Sequence, residues 1–287
     1  MRWLGGDQEG NVEDRRGLGP VGVGGLGAGG LVLALVGYFV FGISPSTTLA
    51  VVNGVQAQEE QPYDQQSGFR GAPKDQGGQF VDVIATSVDQ VWAQIFQDNN
   101  QTYRRPAAVV LYEQSTGTGC GLGQTAQGPF YCPQDQKVYL DLSFWNELES
   151  RFGAKGEAAR AYVIAHEIGH HVQNLLGAAD EARRLGARGA ASGSVRLELQ
   201  ADCYAGVWAA HAAEVSGGKV ALGPRDIEDG LGAAAAVGDD ALQQQATGRV
   251  APDSFTHGTS AQRVRWFRKG VATGDPQACD TFGAGQL

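Results

Sequence analysis

Apolar side chains recur at helical spacing in Phe80, Val81, Ile84, Val88, Val91, Trp92, Ile95 and Phe96, which predicts an amphipathic helix over residues 79–97. Residues 107–112 and 137–142 are rich in β-formers and read as strands. Between them, Thr116-Gly-Thr-Gly-Cys-Gly-Leu-Gly123 carries too much glycine for regular structure and reads as a loop closed by Cys120 and Cys132. Helical patterns follow over 143–152, 157–176, 194–214, 224–245 and 260–271. A helix, a few strands and then helices predict an α+β domain, mostly helical with a small sheet, over residues 79–287.

Ahead of this domain the pattern changes twice. Residues 21–43 carry no charge and include the apolar run from Leu31 to Phe41, long enough for one transmembrane helix. Within it, Gly25-x-x-x-Gly29 would let two such helices approach closely, a weak basis for self-association of the anchor. Arg2, Arg15 and Arg16 precede the span, while no Lys or Arg lies between Ser44 and Phe69, so residues 1–20 are expected in the cytoplasm and the domain outside. A cleaved signal peptide is the competing reading. Its small-x-small site at Val55-Gln56-Ala57 lies well past the apolar core, which favours an uncleaved single-pass anchor. Residues 44–78, rich in Gln, Ser, Gly, Pro and Asp, read as a flexible linker.

Composition narrows the function classes. The chain has 287 residues, 42% of them hydrophobic, enough to bury a full core. Its formal net charge is −9 and Lys and Arg form no run longer than a pair, so a nucleic-acid partner is disfavoured. Four cysteines on the side expected to be oxidising suggest two disulfides. Cys120 with Cys132 and Cys203 with Cys279 is the favoured pairing, because the first two bracket one glycine-rich excursion. No C-x-x-C occurs, which disfavours a cysteine metal site.

The chemistry sits in Ala161-Tyr-Val-Ile-Ala-His166-Glu167-Ile-Gly-His170-His171, an H-E-x-x-H inside a helical pattern. Residues four apart share a helix face, so His166 and His170 can bind one zinc ion together. Glu167 then lies beside the water that zinc activates and is the expected general base. The histidine that would complete a metzincin shell is missing. Glu198 and Asp202, four apart on the next predicted helix, offer a third ligand and a partner for the far nitrogen of a ligand histidine. His257, before the last helix, could donate a hydrogen bond to the oxyanion of a tetrahedral intermediate or merely cap the helix. His171 points about 100° away from His170 and His211 lies over two turns beyond Asp202, so neither is an expected ligand, and the residues leave the role of Arg263 open.

Together these motifs, with Asn11-Val-Glu-Asp-Arg-Arg-Gly17, Gly128-Pro-Phe-Tyr-Cys-Pro133, Val138-Tyr-Leu-Asp141, Glu198-Leu-Gln-Ala-Asp-Cys203 and Phe255-Thr-His-Gly-Thr-Ser260, resemble the bacterial neutral zinc metallopeptidases over nearly the whole chain. The resemblance implies a zincin-like fold of the gluzincin kind, similar at the site to thermolysin and to membrane zinc peptidases of the CAAX-processing type. His257 and Arg263 look like the His and Arg of a late motif in the latter group, where proline follows the histidine and this chain has Gly258. The expected function is a membrane-anchored peptidase acting on protein or peptide substrates. The alternatives are a zinc-stabilised binding domain with little turnover and a zinc amidase acting on cell-wall material. Substrate is expected to add as a strand to an exposed edge, with residues 137–142 as the candidate.

Overall fold

The computed structural model describes residues 1–18, 68–150, 153 and 156–287. Its main sheet contains β1 (Val12–Asp14), β2 (Phe69–Arg70), β3 (Ala108–Tyr112), β6 (Phe130–Cys132) and β7 (Lys137–Asp141), in the order β2-β1-β3-β7-β6. β1, β3 and β7 are parallel neighbours, and β2 and β6 flank them antiparallel. The uninterrupted apolar run of β3 is what burial on both faces requires. Val109, Leu111, Val138 and Leu140 face the helical core, while Ala108, Val110, Tyr112, Cys132 and Tyr139 form a smaller cluster on the other face.

Three expectations change here. The glycine-rich stretch is a hairpin, β4 (Ser115–Thr118) paired antiparallel with β5 (Gly121–Gln124). Glycine hides the side-chain alternation, but the backbone pairs regardless, and the Thr118 hydroxyl ties the turn by donating to the Gly121 carbonyl. Residues 137–142 do not supply a free edge, because β7 lies between β3 and β6. The edge on that side is β6, a strand too short to show a period.

The third change concerns the N-terminus. Residues 1–18 belong to the folded unit instead of standing apart from it: β1 sits between β2 and β3, and Trp3 packs edge-on against Phe80 at 5.1 Å. The N-terminal ammonium meets Asp226 at 2.6 Å, and buried Glu13 bridges Arg15 at 2.7 Å and Lys137 at 2.9 Å. Charges in a strand of three residues conceal it from any hydrophobic pattern.

The anchor at 21–43 and most of the linker fall outside the described residues. Among the described residues no helix is long and apolar enough to cross a membrane. A chain that crosses a bilayer once leaves its flanks on opposite sides, yet β1 and β2, which bracket residues 19–67, pair through Glu13↔Arg70 and Asp14↔Phe69. A cytoplasmic N-terminal segment with the domain outside is therefore incompatible with this sheet. A cysteine placed at Leu4, which is 74% exposed, should react with a membrane-impermeant maleimide in intact cells whenever one at exposed Leu185 does. Labelling of the second position but not the first would refute the shared side.

The helices pack on one face of the sheet. Among the described residues they are α1 (Gln76–Asp98), α2 (Phe144–Ser150), α3 (Glu157–Leu176), α4 (Ala178–Arg184), α5 (Gly193–Val215), α6 (Pro224–Ala236), α7 (Asp239–Thr247) and α8 (Ser260–Thr273). Asp75 caps α1 by accepting from the Gly78 amide, so that helix starts before its first apolar residue. The pattern over 224–245 is broken by extended Gly238 into α6 and α7, and α4 has no apolar period to announce it. α5 and α8 come into backbone contact at Gly206 and Gly270, where an added methyl group would lie 2.2 Å from the Phe267 carbonyl and 2.0 Å from that of Cys203. Disulfides join Cys120 to Cys132 and Cys203 to Cys279, which points to an oxidising, extracytoplasmic environment.

Candidate metal centre and active site

α3 carries His166, Glu167 and His170, and its helical repeat sets the two histidines on one face. α5 crosses beside it at Gly169, where a methyl group would meet the Ala201 α-carbon at 3.3 Å. That close approach brings Glu198 over the histidines. His166 Nε2 lies 3.2 Å from His170 Nε2 and 3.2 Å from Glu198 Oε2, and His170 Nε2 lies 3.4 Å from Glu198 Oε1. These three residues could hold a metal ion.

Two tests of fit support a cation here, and the first matches zinc. Around a tetrahedral zinc with bonds of about 2.0–2.1 Å, neighbouring ligand atoms stand about 3.3 Å apart, close to the spacing here. Electrostatics agree. Burial opposes a charge on His166, but the Asp202 and Glu198 carboxylates outweigh it and raise its pKa to about 10. Burial likewise works against the charge of Glu198, and the His170 and His257 imidazoles overcome it, holding its pKa well below the usual range. Such a site takes up a cation, whether a proton or a metal in its place.

Asp202 is fully buried and orients His166, whose Nδ1 lies 2.9 Å from Oδ1. Arg263 on α8 closes on the same carboxylate through Nε and Nη2, each at 2.9 Å, and the Tyr162 hydroxyl donates to it as well. Arg263 Nη2 also donates to the Tyr162 hydroxyl at 3.2 Å and lies 3.8 Å from Glu198 Oε2. Asp202 has four donors and leaves the Nε2 of His166 free for the metal. His170 is oriented separately, through Nδ1 at 2.8 Å from Gln173 Oε1.

Glu167 is buried, and its desolvation outweighs the pull of the two imidazoles and raises its pKa. His257, with its side chain 43% exposed, stands at the rim. Its Nδ1 faces Asp239 Oδ1 at 3.2 Å, while Asp239 Oδ2 accepts from the backbone amides of Thr256, His257 and Gly258. Burial opposes its charge, but the Glu198 and Asp239 carboxylates prevail and raise the His257 pKa. His171 and His211 do not reach the metal position: His171 spans Tyr131 and the Arg104 carbonyl, and His211 faces the Gly274 carbonyl.

Sequence reading missed Tyr162, Gln173, Gln200 and Asp239. Tyr162 and Gln173 had a signal, since each lies one helical turn from a ligand histidine. Asp239 had none, because the expected continuous helix placed it mid-span.

The family model described as "Putative neutral zinc metallopeptidase" matches residues 1–282. Over 99% of both chains the protein is 45% identical to the protein of Escherichia coli strain K12 titled "Uncharacterized protein YpfJ". Over 71% of both chains it is 50% identical to "Uncharacterized protein Rv2575" of Mycobacterium tuberculosis and to "Uncharacterized protein Mb2605" of Mycobacterium bovis. No solved structure matches the chain. With its H-E-x-x-H histidines and Glu198 gathered at one point and the family match running almost from end to end, the chain belongs to the neutral zinc metallopeptidase family.

Proposed function

We propose that the protein is a zinc-dependent peptidase that hydrolyses peptide bonds outside the cytoplasm. The observation that carries this reading is Glu167, a buried carboxylate beside three converging ligand atoms that holding a metal does not require. His166, His170 and Glu198 would hold the ion. Bound zinc supplies a Lewis acid that acidifies water and polarises a carbonyl. Glu167 takes the proton from the attacking water and passes it to the leaving amine. His257, clamped by Asp239, donates a hydrogen bond to the oxyanion as the carbonyl carbon becomes tetrahedral.

Substrate approaches along β6. The Arg104 carbonyl only accepts, so His171 carries its proton on Nε2 and its Nδ1 accepts from the Tyr131 hydroxyl at 3.0 Å, while Asn174 donates to the same oxygen. β6 is thereby bonded to the helix that bears the ligands, and its outer edge lacks a strand partner among the described residues. An extended peptide adding there would bond through its backbone, with weak sequence preference. Peptides of about eight residues are accordingly expected to show kcat/KM on the order of a hundredfold above dipeptide amides, what several backbone hydrogen bonds would contribute. Equal rates on the two would overturn strand addition, and reaction on cell-wall fragments alone would favour an amidase. The apolar residues 21–43 are our candidate for membrane attachment.

A further inference from the structure

We propose that Gln173 and Gln200 are positioning residues for the metal centre, and that the Cys203–Cys279 disulfide secures the far end of the hydrogen-bond chain they form. The disulfide then sets how tightly the centre holds zinc. This rests on the zinc reading of the site. The chain runs from the Cys279 carbonyl to Gln200 Nε2 at 3.2 Å, from Gln200 Oε1 to Gln173 Nε2 at 3.1 Å, and from Gln173 Oε1 to His170 Nδ1 at 2.8 Å.

Its direction is forced from the far end. A backbone carbonyl only accepts, so Gln200 must present its NH2 to Cys279 and its oxygen to Gln173. Gln173 Nε2 also donates to the Leu197 carbonyl at 2.7 Å, which uses both of its hydrogens. Rotating that amide by half a turn would set oxygen against two oxygens. Gln173 Oε1 therefore has to face His170, which must carry its proton on Nδ1 and leave Nε2 bare toward His166 and Glu198. Both glutamines are buried, so the chain is shielded from bulk water. Leu197 precedes Glu198, so the same amide also ties α3 to α5 next to the third ligand.

The disulfide enters because Cys279 ends a short turn, Pro276–Cys279, on the C-terminal segment, and Cys203 lies on α5 one turn beyond Leu199 and Gln200. It holds the Cys279 carbonyl at a set distance from Gln200. Arg196 also grips this segment through the Phe282 and Ala284 carbonyls at 3.3 and 3.2 Å. Loss of the disulfide should thus loosen the segment without releasing it.

The test is zinc affinity of the full-length protein, by competition with a chelating indicator, alongside melting of the apo protein to separate lost stability from lost affinity. Gln173→Met is expected to weaken binding by about 10–100-fold, the range for a group that orients a ligand. Gln200→Met and the pair Cys203→Ala with Cys279→Ala should each weaken it by about fivefold, roughly one net hydrogen bond. Combining them should weaken it no further, because both interrupt one chain. In the zinc-loaded protein, the ¹⁵N signal of His170 should report a protonated Nδ1 in the wild type and an altered one in Gln173→Met. Wild-type affinity in Gln173→Met, or full additivity of the Gln200 and cysteine changes, would overturn the relay. Unaltered zinc binding in His166→Ala would overturn the zinc reading and the relay with it.

Discussion

Glu167→Gln is expected to keep one zinc per chain and to lower kcat by about 10²–10⁴-fold, the range that general-base catalysis contributes. Glutamine has nearly the shape of glutamate and cannot take a proton from water. The ligand atoms belong to His166, His170 and Glu198, so the metal has no reason to leave. A loss confined to kcat would place the missing interaction in the transition state, whereas a rise in KM alone would assign Glu167 to substrate binding. Metal content by mass spectrometry, read beside turnover on an octapeptide, separates the outcomes. Full activity in Glu167→Gln with zinc bound would remove the general base from this mechanism.

Loss of a ligand should act on the fold as well as on the metal. In His166→Ala, His170→Ala or Glu198→Ala zinc occupancy is expected to fall sharply, and with it the stability that the bound ion adds, about 2.7 kcal/mol at free zinc a hundredfold above Kd. His166→Ala should have a further cost. It leaves the fully buried Asp202 with one donor fewer, although Arg263 and Tyr162 still satisfy that carboxylate. Zinc titration during thermal melting checks both effects: the wild type should gain stability with added zinc and the three variants should not. Glu198→Ala with unchanged zinc affinity would show that the third ligand is another residue.

Much of this centre was legible in one dimension because it is built from helices. A helix fixes where residues four apart point, so His166 and His170, and separately Glu198 and Asp202, are paired by spacing alone. The cysteine pairing was legible for a different reason, since Cys120 and Cys132 close one short excursion. Helices with a strong apolar stripe, such as α1 and α3, lay within a few residues of where the pattern put them.

What the chain order could not carry is the set of contacts made between elements distant in sequence. That β1 inserts beside β3, and that β6 rather than β7 is the edge, depend on pairing among strands too short to show a period. Arg263 reaches Asp202 because glycines let α5 and α8 touch, and Asp239 reaches His257 because the chain turns at Gly238. Local spacing determined which side chains could act together on one helix. Only packing decided which helix faced which, because burial rewards any apolar stripe that meets another and leaves the choice of partner to the shape of the whole core.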